Sequence, residues 1–174
     1  MKNLQQDNKT LAVSALNGQP SQELSGLFQD ILQRGVKLRV RVTGRSMIPF
    51  LRGNEVLTIR QEPCLSLSMG DLILFRSTYD LPVLHRIIRI RKNDNGAFWF
   101  LTKGDALRSF DEEIHESSVL GKVLRIERPA QSAKTTHIDM NSLFYRCLNF
   151  SIAVAGFFKT QTYFFLSAAL AKRA

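Results

Sequence analysis

The stretch VTGRSMIPFLRGNEV, residues 42–56, holds a single serine, Ser46, between Gly44 and Pro49 and just past an alternating strand pattern. In a turn rich in glycine and proline a serine ordinarily hydrogen-bonds its own backbone. To act as a nucleophile it needs a base, because a free hydroxyl is barely ionised at neutral pH. The chain offers three histidines. His137 falls in a polar linker, and His115 in the acidic segment EEIHE, where a solvated role is expected. His85 differs: it lies inside the strand pattern PVLHRIIRI, on the same face as Val83 and Ile87. A histidine there is either a satisfied structural residue or a base, and a base requires a carboxylate to hold its tautomer and stabilise the imidazolium. Asp105 and Asp111, both in LTKGDALRSFDEE, are the candidates.

These residues need a scaffold. Leu24, Leu27, Phe28, Ile31 and Leu32 form one apolar stripe at helical spacing, with Ser21 as N-cap and Gly35 as stop. VKLRVRVT (36–43) then alternates strictly and predicts a half-buried strand. EVLTIR (55–60), DLILFR (71–76), VLHRIIRIR (83–91), AFWFLT (97–102) and VLGKVLRIE (119–127) predict five more. The turn Asn93-Asp94-Asn95-Gly96 makes strands four and five a hairpin, so Asp105 is expected at the same end as His85. Six short strands without intervening helices predict a mainly β barrel or sandwich, spanning 36–127. Residues 1–19 read as a loose arm, 128–142 as a polar linker, and 143–170 as an apolar helical tail interrupted by Arg146, Lys159 and Gln161.

Composition narrows the partners. With 174 residues the chain is sized for one domain, and 24 Lys+Arg against 15 Asp+Glu give a formal charge of +9. That charge favours nucleic acid or an anionic membrane surface without choosing between them. Cys64 and Cys147 have no zinc-ligand spacing, and two buried, reduced thiols are expected, with no metal and no cofactor. The polar first twenty residues carry no cleavable leader, and no run reaches the length of a spanning helix. The expected location is therefore cytoplasmic or peripheral to a membrane, the tail lying in the interface or self-associating.

Beyond these patterns, GRSMIPFLRGNEV resembles the serine box of the signal peptidase I family, roughly G-x-S-M-x-P-x-L-x-x-G-D. GDLILF, VLHRIIRI, FLTKGDALRSFD and GKVLRI resemble its later boxes, in order, over about residues 40–127. The histidine brings the chain closer to the archaeal and endoplasmic-reticulum type than to the bacterial type, which has a lysine base. The resemblance implies Ser46 as nucleophile, His85 as base, Asp111 as orienting acid and Asp105 as a further active-site residue. It also implies the coiled β-barrel shared with repressor self-cleavage domains, and extended peptide substrates such as leaders or preproteins. Asn54 stands where the box has aspartate, Arg45 where close relatives have a small residue, and no membrane anchor precedes Ser46.

A second reading is a basic binding module of the same fold without activity. Lys37, Arg39 and Arg41 with Arg86, Arg89 and Arg91 could meet anionic lipid or phosphates. Nucleic acid is disfavoured, since the chain has neither a recognition-helix pair nor an aromatic platform on these strands. A self-cleaving regulator is a third reading, but the single helix before the first strand is too little for a helix-turn-helix.

Overall fold

The computed structural model describes residues 10–13, 22–129 and 135–171. The stripe of residues 24–32 forms helix α1 (Gln22–Gln33), with Phe28, Ile31 and Leu32 buried. Full burial of such side chains contributes roughly 1.5–3 kcal/mol each. Ser21, expected as its cap, lies outside the described residues.

The six expected strands form as β2 (Lys37–Arg41), β3 (Val56–Arg60), β4 (Leu72–Arg76), β5 (Pro82–Lys92), β6 (Phe98–Lys103) and β8 (Val119–Arg128). Three short ones join them: β1 (Thr10–Val13), β7 (Ile114–His115) and β9 (Thr136–Asp139). Strand β1 falls inside the expected arm and β9 inside the expected linker. The sheet runs β1-β2-β3-β8-β4-β5-β6-β7, with β9 also on β8. It curls into a half-barrel, mainly β as expected.

Strand β8 joins the two halves. Its C-terminal part pairs with β3 and its N-terminal part with β4, each with a register irregularity. Bulges of this kind sharpen local twist and bend. One core lies under α1 and includes Met47, Leu51, Leu57 and Val123. The other gathers Ile73, Phe75, Ile87 and Phe100 along β4–β6.

The hairpin register places Arg86 opposite Lys103 and Ile87 opposite Thr102, then skips Ile88. That bulge keeps Arg86, Arg89 and Arg91 on one face, as cross-strand partners share a side. They are not one basic surface, however. Arg89 and Arg91 both pair with Glu113, and Arg86 is completely buried. The covering element is helix α2 (Leu143–Ala171). Among the described residues no helix is long and apolar enough to cross a membrane. Both cysteines are free, but Cys64 is half-buried and Cys147 exposed, which corrects the expectation that both are interior.

Candidate active site

The serine turn is clamped at several points. The Val42 N–H donates to the Glu55 carbonyl (2.8 Å), the Leu51 N–H to the Met47 carbonyl (2.9 Å), and Arg128 Nη2 to the Phe50 carbonyl (2.8 Å). Met47 and Leu51 point into the core, leaving Ser46 partly exposed between them and Gly44. Asn54 has a positive φ of 147° and its Oδ1 accepts from Arg41 Nη1, a conformation an aspartate would share at similar cost. Arg45 is exposed.

His85 stands on β5, 6% exposed, with Phe75 edge-on at 6.2 Å. Its Nδ1 lies 2.6 Å from Asp111 Oδ2, an N–H donating to a carboxylate. The same oxygen accepts from Thr102 Oγ1 at 2.7 Å, while the Asp111 N–H donates to the Thr102 carbonyl at 2.9 Å. The loop after β6 therefore leaves at Lys103 and returns at Asp111 to the strand it left. Such a pair fixes Nδ1 as the protonated nitrogen and leaves Nε2 free to accept.

Gly104 lies beside both the Ser46 backbone and the His85 ring. A Cβ built there falls 2.7 Å from the Ser46 carbonyl oxygen and 3.0 Å from His85 Nε2. The Ala106 N–H donates to that same carbonyl at 2.8 Å, tying the serine turn to the loop. A methyl at position 104 has no room without parting these groups. If Ser46 and His85 act as nucleophile and base, Gly104→Ala lowers probe labelling at Ser46 at least roughly a hundredfold, the scale of a 1 Å misplacement. Unchanged far-ultraviolet circular dichroism, read alongside the labelling rate of an active-site probe, would separate this from unfolding.

Asp105 does not reach His85. Its two oxygens accept from Arg86 Nε and Nη2, both at 2.8 Å. Arg86 Nη1 also donates to the Gly70 carbonyl (2.9 Å) and to Asn149 Oδ1 (2.8 Å), and the guanidinium lies 4.8 Å from the Phe50 ring centre. His115 sits edge-on to Trp99 at 5.1 Å with its Nδ1 near Ser117, and His137 is exposed on β9; neither lines the cleft beside Ser46.

Ser46 and His85 line one apolar cleft of about 490 Å³. Val42–Gly44 form one wall and Pro82–Leu84 the other. Pairing of β5 with β6 begins only at Arg86, and β2 bonds β3 no further than the Val42 N–H to Glu55, leaving Thr43 and Gly44 outside the strand pairing. Both walls thus present backbone edges beside the serine. Helix α1 closes the cleft with Leu24 and Phe28, residues that the sequence marked only as a packing stripe. Leu107, from the loop that carries both aspartates, completes it.

Lys103, on the opposite face, is 2% exposed; its Nζ donates to the Gly104 carbonyl at 3.2 Å. Burial pushes its pKa below the ordinary lysine value, with Asp105 acting against that shift. With the folded-state pKa lowered, the cost is fully present at pH below that pKa and fades as pH rises toward the unfolded value of about 10.4. A buried ammonium with no carboxylate within ion-pair distance among the described residues carries a desolvation cost that a hydrophobe of similar length does not. Lys103→Met should raise Tm at pH 7 by at least about 2 °C, and thermal scans at increasing pH should show the gap closing.

No family model matches the chain. A stretch of 70 residues is 34% identical to "Signal peptidase complex catalytic subunit SEC11C" of Homo sapiens, and equally to those of Mus musculus and Canis lupus familiaris. The match covers 38% of this chain and 35% of each relative, so the chain spans about a third of the length of the curated relatives it matches. The similarity is partial and is to signal peptidase catalytic subunits.

Proposed function

We propose that the chain is a signal peptidase-like serine endopeptidase. The observation that carries this reading is the 2.6 Å contact from His85 to Asp111, with Nε2 turned toward Gly104 and the Ser46 turn. Ser46 attacks a peptide carbonyl and His85 Nε2 takes the hydroxyl proton, later returning it to the leaving amine. Asp111 holds the imidazole and balances its charge. Backbone N–H groups of the serine turn supply the oxyanion site.

The substrate binds extended between Val42–Gly44 and Pro82–Leu84, as a strand added to two open edges. The relatives' name and this geometry together favour a leader or preprotein segment, with small residues ahead of the cut. Helix α2 carries Arg146 and Lys159, no acidic residue, and exposed aromatics including Phe144, Phe158 and Phe165, which suits an anionic membrane surface beside the enzyme.

A fluorophosphonate probe tests the reading. Covalent labelling of the full chain, mapped by mass spectrometry to Ser46 and absent from Ser46→Ala, supports the peptidase. No labelling, with salt-sensitive association to acidic vesicles, would support the inactive basic module instead.

A further inference from the structure

Helix α2 lies outside the region that resembles the peptidase boxes, yet it touches the back of the site at four places. Asn149, buried within the helix, accepts from Arg86, which is covalently next to His85 and holds Asp105. Gly70 lets the helix approach: a Cβ there would fall 2.7 Å from the Asn149 carbonyl carbon and the Phe150 nitrogen. Phe157 packs its ring 5.8 Å from that of Phe110, the residue immediately before Asp111. Tyr163 lies 5.6 Å from the Arg108 guanidinium in the same loop.

The loop from Lys103 to Asp111 is therefore held on both sides. Toward the cleft it meets Ser46 and His85 through Gly104; away from the cleft it leans on α2. On the cleft side the nine-residue excursion is held by the Thr102, Ala106 and His85 bonds, while Asp105 is held by Arg86, itself bonded to Asn149 of the helix. A carboxylate must hold its hydrogen bond to within a few tenths of an ångström for the imidazole to keep its tautomer and aim.

We propose that α2 is a positioning element for the base–acid pair, acting through Asn149 on Arg86–Asp105 and through Phe157 on Phe110–Asp111. This rests on the peptidase reading above, for which His85 is the base. Neither residue lines the cleft, so neither meets substrate.

The test uses the full chain in four forms: unaltered, Phe157→Ala, Asn149→Leu and Asn149→Asp. The last keeps an oxygen acceptor for Arg86. Two quantities are measured: the saturable labelling of Ser46 by a fluorophosphonate, and the low-field proton resonance of the His85 Nδ1–H bound to Asp111. Phe157→Ala and Asn149→Leu should lower the limiting labelling rate roughly ten- to a hundredfold, with the half-saturating probe concentration unchanged. Both should weaken the resonance, and Asn149→Asp should restore rate and resonance.

An unchanged limiting rate and resonance in Phe157→Ala and Asn149→Leu would overturn the proposal. So would a loss carried wholly by the half-saturating concentration. If Asn149→Leu fails to fold, Phe157→Ala and Asn149→Asp decide, since Phe157 is only half-buried. If the unaltered chain shows the resonance but no labelling, the nucleophile assignment fails, and the resonance across the variants still decides the role of α2.

Discussion

Ser46→Ala and His85→Ala are each expected to lower hydrolysis by three or more powers of ten, and the double variant by little more. Members of a triad act as one unit, so removing either the hydroxyl or its base disables the same step. The assay is cleavage of a fluorogenic peptide with an Ala-x-Ala junction. Half-saturation should barely change in the variants, because the cleft walls at Val42–Gly44, Pro82–Leu84 and Leu24/Phe28 remain. Additive losses, with the double variant falling by the product of the two, would mean that Ser46 and His85 serve separate purposes. A loss confined to half-saturation would make them binding residues. Neither outcome fits proton transfer between them.

The pattern of strands was readable because VKLRVRVT alternates strictly, the others are short runs rich in apolar and β-branched residues, and each has glycine, proline or asparagine close to at least one end. The additional strands β1, β7 and β9 are four residues or fewer, and THID has one apolar position, so no periodicity marks them. The burial of Arg86 was hidden for another reason. On a strand, an arginine reads as solvent-facing until something covers it, and the cover comes from a helix 63 residues away in sequence at Asn149. The role of α1 in the cleft was equally silent, since a stripe that packs and a stripe that lines a groove have the same spacing.

The choice between the two aspartates lay closer to the surface of the sequence. Once Arg86 pairs with Lys103 and Ile87 with Thr102, alternation puts Thr102 and Gly104 on the histidine's side and Lys103 and Asp105 on the arginine's. Asp105 is then directed to Arg86 by the pleat alone. Asp111 regains the histidine's side only because the loop folds back on Thr102, a closure that no alternation predicts. Register thus separates the carboxylates, while the loop's return decides which of them serves the imidazole.

That separation gives opposite expectations for two similar changes. Asp111→Asn should keep the fold and cost roughly four powers of ten in rate, the scale seen when the orienting acid of a serine triad becomes an amide. An amide can donate to Nδ1, which drives the proton to Nε2 and leaves no base facing Ser46. Asp105→Asn should act on stability first. It leaves a completely buried guanidinium without its carboxylate, and breaking a buried pair costs about 3–5 kcal/mol. Thermal denaturation should therefore separate the two variants in one direction and peptide hydrolysis in the other. Should Asp105→Asn keep its Tm and lose four powers of ten in rate, the pairing with Arg86 would be chemically important in itself, and Asp111 would not be the acid that orients His85.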